Sequence, residues 1–126
     1  MGYWELSWKR GAMMEYIPEH GDIILLDFDP QAGHEQKGKR PAFVVSSGTF
    51  NKFTKVAIVC PITSTNRSFP LHISLDDRTK TKGVIMCEQV KSLDILARNA
   101  SFLEKAPKDI LEEVIDVIIG SIEIKS

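Results

Sequence analysis

From Gly21 onward the chain breaks into short apolar runs separated by polar clusters: residues 22–28 (DIILLDF), 42–46 (AFVVS), 55–62 (KVAIVCPI), 71–75 (LHISL) and 83–87 (GVIMC). Each run has the length of a strand, is rich in Ile, Leu, Val or Phe, and is bounded by Gly, Pro, Asn, Ser or Asp, which predicts five strands. Alternation is strict in 71–75, so Leu71, Ile73 and Leu75 are expected to face a core and His72 to lie on the surface. His20, beside Gly21, reads as ordinary turn chemistry. After Pro107 the period changes. Ile110, Val114, Ile118 and Ile122, flanked by Leu111, Ile115 and Ile119, recur at i and i+4, which predicts a helix of about four turns with Pro107 at its start. Its apolar face is broad enough to cover a sheet and leave surface for a partner. Ser92–Leu96 reads as a single helical turn. A succession of short strands closed by one helix predicts a mainly β fold, a small antiparallel barrel capped by a C-terminal helix.

With 126 residues, 43% of them hydrophobic, the chain can bury one core without staples. No apolar stretch approaches the roughly 20 residues that cross a bilayer, and no secretory signal opens the chain, which predicts a cytoplasmic protein with no membrane partner. Cys60 and Cys87 each lie inside an apolar run and are expected to be buried free thiols; their spacing suggests no metal site. Residues 1–14 (MGYWELSWKRGAMM) hold both tryptophans and share no periodicity with the rest. They read as a non-native or loosely attached extension, with Met13 or Met14 as the natural start, or else as a packing arm using Trp4 and Trp8; residues 15–126 form the single domain.

Charge changes the picture more than composition does. The net charge is only −1, yet residues 31–67 carry six cations against one acid, while residues 101–126 carry six acids against three lysines. A basic half on a near-neutral chain suits local binding of a polyanion. The centre of that half is the loop DFDPQAGHEQKGKRP at 27–41, where His34, Glu35, Lys37, Lys39 and Arg40 fall within seven residues. A connector of this length without periodicity of its own is commonly functional, and Gly33, Gly38, Pro30 and Pro41 shape it between two apolar runs whose hold on its ends should be firm. The side chains offer a base, an acid and phosphate-binding cations.

The segments GDIILLDFDPQAGHEQKGKRPAFVVSS, CPITST and GVIMCEQVKSLD, in that order, resemble the MazF/PemK family of toxin endoribonucleases of bacterial toxin–antitoxin pairs, and most closely its PemK (Kid) and ChpB branch. The resemblance covers about residues 16–124. It implies an SH3-like barrel that forms a homodimer. It also implies metal-independent, sequence-specific cleavage of single-stranded RNA without a cofactor, leaving 2′,3′-cyclic phosphate and 5′-hydroxyl ends. A cognate MazE/PemI-like antitoxin would neutralise the toxin by laying an acidic segment over the RNA groove, and DNA binding is expected of that complex. A CcdB-like gyrase poison, a non-catalytic binder on the same barrel, is the alternative.

The family pattern assigns roles residue by residue. Glu35 matches the acidic residue that acts as base in some members, and Glu88 matches the position of an aspartate with that role in PemK-type members; Glu35 is placed slightly ahead. Arg40 matches the arginine that faces the scissile phosphate, where a planar guanidinium suits charge stabilisation better than proton donation. Thr63 matches a threonine whose hydroxyl donates to the phosphate, and His34 a histidine able to assist proton transfer. Lys37, Lys39, Ser64, Asn66, Gln89 and Lys91 are expected to contact phosphates or bases. One departure stands out: PemK-type toxins carry an arginine two residues before the second carboxylate, and this chain has Met86 there. The leaving-group acid would then be Arg40 or His34. Phe50, Phe53 and Phe69 stack on bases or, more in keeping with their apolar area, fill a core or interface.

Overall fold

A computed structural model describes residues 16–28, 38–65 and 69–124. Strand β1 (Asp22–Leu26) is followed by β2 (Arg40–Val44), helix α1 (Gly48–Thr54), β3 (Val56–Thr63), β4 (His72–Ser74), β5 (Val84–Met86), a 3₁₀ turn (Cys87–Gln89), β6 (Lys91–Asp94), β7 (Ser101–Lys105) and helix α2 (Lys108–Ile122). All strand pairs are antiparallel and run β4-β5-β3-β2-β1-β7, with β6 also on β3. The expected mainly β class with a C-terminal helix holds. The sheet curls without closing, so a barrel describes it only loosely.

Strand β3 is the hub. One edge pairs with β2 (Val59 opposite Val44), while the other is shared between β6 along Val56–Val59 and β5 at Ile62 and Thr63. Neighbouring residues on the central strands enter different cores: Ile23, Phe43, Cys60 and Ile62 join the cluster covered by Ile110 and Val114 of α2, while Ile24, Ala42, Val44 and Val59 join a second cluster with Leu93 and Ile95. Burial on both faces explains why these strands read as unbroken apolar runs rather than alternating ones.

Three elements depart from the sequence expectation. Residues 91–94 form a strand where a helical turn was expected at 92–96, because the first half of β3 needs a partner on that edge and Leu93 is the one residue of β6 buried against it. Ser101–Lys105 is a strand on β1 that no apolar run announces; Phe102 and Leu103 on it are 50% and 42% exposed. Residues 48–54 are helical. Ser47 caps that helix by accepting from Phe50 N–H at 3.2 Å, and the buried Asn51 amide donates to the Pro18 and Ser46 carbonyls at 2.7 and 3.2 Å. The helix turns Phe50 and Phe53 outward, the latter 79% exposed, and Phe69 is exposed as well, so none of the three fills the core. Trp4, Trp8 and the rest of the N-terminal extension lie outside the described residues.

Candidate active site

Antiparallel register brings two of the expected site residues together. Ala42 of β2 sits opposite Pro61 of β3. Arg40 lies two residues before Ala42 and Thr63 two residues after Pro61, so both stand at the same end of the strand pair, and residues two apart share a face. Arg40 is exposed and Thr63 half-buried. The Thr63 hydroxyl oxygen accepts from the Thr65 N–H at 3.2 Å, which folds the chain back and leaves Ser64 exposed at the strand end. Gly83, with φ +122°, allows β5 to run close alongside: a Cβ there would fall 2.2 Å from the Thr63 carbonyl oxygen.

The ends of the 27–41 loop are tied from a distant part of the chain. Arg98 donates from Nη1 to the carbonyl oxygens of Asp27 (3.0 Å) and Phe28, and its own carbonyl accepts from Asp27 N–H at 2.9 Å. Asn99, at φ +55°, donates from its amide to Asp27 Oδ2 at 3.1 Å, and its carbonyl accepts from Lys39 Nζ at 2.9 Å. Lys91 lies over the Phe28 ring, 5.4 Å from its centroid. The firm hold expected at the loop's ends is therefore present, and two of the proposed RNA contacts, Lys39 and Lys91, are part of it. His34, Glu35, Lys37 and Asn66 lie outside the described residues.

Glu88 sits in the 3₁₀ turn after β5 with its side chain 28% exposed. It pairs with His72, whose Nε2 lies 3.1 Å from Glu88 Oε2. This corrects the reading of His72 as a surface residue. It does point away from the Ile73 side of β4, but the 3₁₀ turn and Phe69 cover that face, leaving the His72 side chain only 10% exposed. Gln89 is exposed beside Glu88. Cys60 and Cys87 are buried free thiols, as expected. Their mutual hydrogen bond and burial push the Cys60 thiol up, far from the thiolate that nucleophilic chemistry needs.

A basic strand end carrying an arginine and a threonine, beside a loop anchored at both ends, is a site suited to a phosphodiester. Residues 19–122 match the family described as the PemK-like, MazF-like toxin of type II toxin–antitoxin system, and the chain belongs to that family. It is 40% identical over 101 residues to the endoribonuclease PemK of Escherichia coli, covering 77% of this chain and 76% of that protein. To the endoribonuclease toxin MazF of Escherichia coli strain K12 it is 36% identical over 108 residues, 83% of this chain and 96% of that one. Its fold is similar to a crystal structure of MazE–MazF from Deinococcus radiodurans, with a TM-score of 0.79 and 34% identity over 87% of this chain and 100% of the other.

Proposed function

We propose that this chain is the toxin of a toxin–antitoxin pair and works as an endoribonuclease that cuts single-stranded RNA at short sequences without a metal, blocking translation and growth until a cognate antitoxin neutralises it. The observation that carries the reading is the meeting of Arg40 and Thr63 at one strand end, at the exit of the anchored loop. Endoribonuclease is the stated activity of the similar PemK and MazF proteins, and the MazE–MazF structure supports an antitoxin partner. A homodimer completes the proposal, for which Phe102, Ile119 and Ile122 offer exposed apolar surface.

In this reading the ribose 2′-oxygen forms a bond to the adjacent phosphorus and the bond from phosphorus to the 5′-oxygen breaks, leaving a 2′,3′-cyclic phosphate and a 5′-hydroxyl. Two protons move. Glu35, placed ahead by the family pattern, or Glu88 takes the one from the 2′-hydroxyl. His34 gives the other to the leaving 5′-oxygen, because a guanidinium holds its protons too firmly to do so near neutral pH. Arg40 and the Thr63 hydroxyl stabilise charge on the phosphoryl oxygens. Lys37, Lys39, Ser64, Asn66, Gln89 and Lys91 hold the flanking nucleotides.

The test is cleavage of a long single-stranded RNA in EDTA with end-group analysis, for wild type, Arg40→Ala, Glu35→Gln and Glu88→Gln. Wild type should cut at a few short sites and leave 5′-hydroxyl ends. Arg40→Ala should lose on the order of 10²–10³ in rate, and Glu88→Gln on the order of 10²–10⁴. The larger loss of the two, Glu35→Gln or Glu88→Gln, identifies the base. A folded wild type that cuts none of several RNAs would overturn the enzymatic reading.

A further inference from the structure

The two ring nitrogens of His72 stand in different surroundings. Imidazole Nε2 faces Glu88 Oε2 at 3.1 Å, whereas Nδ1 of the same ring is buried with no hydrogen-bond partner among the described residues, and Phe69 stands edge-on with its centroid 5.0 Å away. That asymmetry fixes where the ring hydrogen sits. A hydrogen on Nδ1 would be a buried donor with nothing to accept it, while on Nε2 it is aimed at a carboxylate oxygen. His72 therefore donates and Glu88 Oε2 accepts.

The backbone around Glu88 is fixed to the same strand: Cys87 N–H donates to the Leu71 carbonyl, next to His72, and Val90 N–H to the Cys87 carbonyl, both at 3.3 Å. With the backbone held, the carboxylate still turns about three side-chain bonds, the last of them broad, and a hydrogen bond to Oε2 restricts that freedom. Met86, opposite His72 in the β4–β5 register, carries no charge, so His72 is the polar group this strand pair supplies to Glu88.

We propose that His72 is a positioning residue for RNA cleavage, holding Glu88 through Oε2 so that Oε1 meets the ribose 2′-hydroxyl. This rests on the nuclease reading with Glu88 as base. His72 touches no reacting atom, and its contribution passes through the carboxylate. Removing it should lower kcat while leaving KM, set by cations and strand contacts elsewhere, nearly unchanged.

His72→Gln keeps an N–H donor able to reach Glu88, whereas His72→Leu removes it; both are compared with wild type and Glu88→Gln on a short RNA carrying a mapped cleavage site. The expected result is a kcat loss of about tenfold or more for His72→Leu with KM within about threefold, and substantial recovery in His72→Gln. In a Glu88→Gln background, His72→Leu should add almost nothing, as expected for residues acting as one unit. ¹⁵N NMR of the imidazole should report the Nε2–H form. Wild-type kcat in both His72 variants, or an equal loss from His72→Leu with and without Glu88, would overturn the positioning role alone. A wild type that cuts no RNA overturns the nuclease reading and this role with it, and an Nδ1–H form in the NMR spectrum overturns the assigned contact whatever the activity.

Discussion

At Gly83 backbone freedom and the proposed active site meet. Its φ of +122° lies in a region L side chains rarely adopt, and a Cβ would run into the Thr63 carbonyl at 2.2 Å and the Thr63 carbonyl carbon at 2.9 Å. Gly83→Ala must push β5 away from the end of β3 or twist its own backbone. We predict a stability loss of about 2–4 kcal/mol, from backbone strain and displaced packing together, and a fall in cleavage larger than the folded fraction explains, because Thr63 shifts with the strand. Chemical denaturation and RNA cleavage on the same samples check both; a neutral substitution would show that the β3–β5 pairing yields at no cost. The residue types at the site were legible in the sequence, since Arg40, Thr63 and Glu88 fall in motifs. His72 was not. Alternation along LHISL tells which way a side chain points from its strand, but not what another segment lays over that face. Arg98 and Asn99 were equally hidden, because a residue that anchors a loop some 70 positions away leaves no local pattern.

Among the elements, the link between the β4–β5 connection and α2 has a pH signature. Arg78 donates to Asp76 from Nε and Nη2 and to Asp109, in the first turn of α2, from Nη1 and Nη2 at 2.9 and 3.1 Å. These hydrogen bonds hold the Asp76 carboxyl down at about 2 against its usual 3.8, and the same guanidinium holds Asp109 below the ordinary range. Carboxyls with lowered values in the folded state stabilise it above their unfolded value, and that contribution is lost as pH falls through the folded value. Arg78→Gln should therefore melt below wild type at neutral pH, modestly because the groups are exposed, with the gap shrinking below about pH 4, mostly lost at about pH 2 and gone about one unit lower. Melting curves across that range decide it; a gap undiminished at about pH 2 would assign the effect to packing instead. Element legibility follows burial in the same way. Strands β1, β2 and β3 announce themselves because both faces are covered. KSLD and SFLEK do not, since only Leu93 of β6 and no residue of β7 is fully buried, and their strand character comes from the open edges of β3 and β1 that they satisfy.

Over the whole molecule, α2 commits its apolar stripe unevenly. Ile110 and Val114 are buried in the core, whereas Ile119 and Ile122 are 50% and 73% exposed, and Phe102 of β7 is half exposed. Apolar surface of this kind calls for a partner. We predict that the purified toxin sediments at twice its 14.2 kDa mass at micromolar concentration; a monomer over that whole range would sink the homodimer and leave these residues to the antitoxin. Fold class was legible at this scale from the strand-then-helix order, but the open curl of the sheet was not, because closure depends on pairings between distant segments.

One such pairing bears on the order in which the chain can fold. Asp22 of β1 meets Lys105 of β7, and the carbonyls of Asp27 and Phe28 are held by Arg98. A chain still on the ribosome lacks both constraints until residues 98–105 have emerged, since segments can fold only as they are delivered. The two ends of the 27–41 loop are therefore made early and anchored late, by a segment translated some 60–70 residues after them.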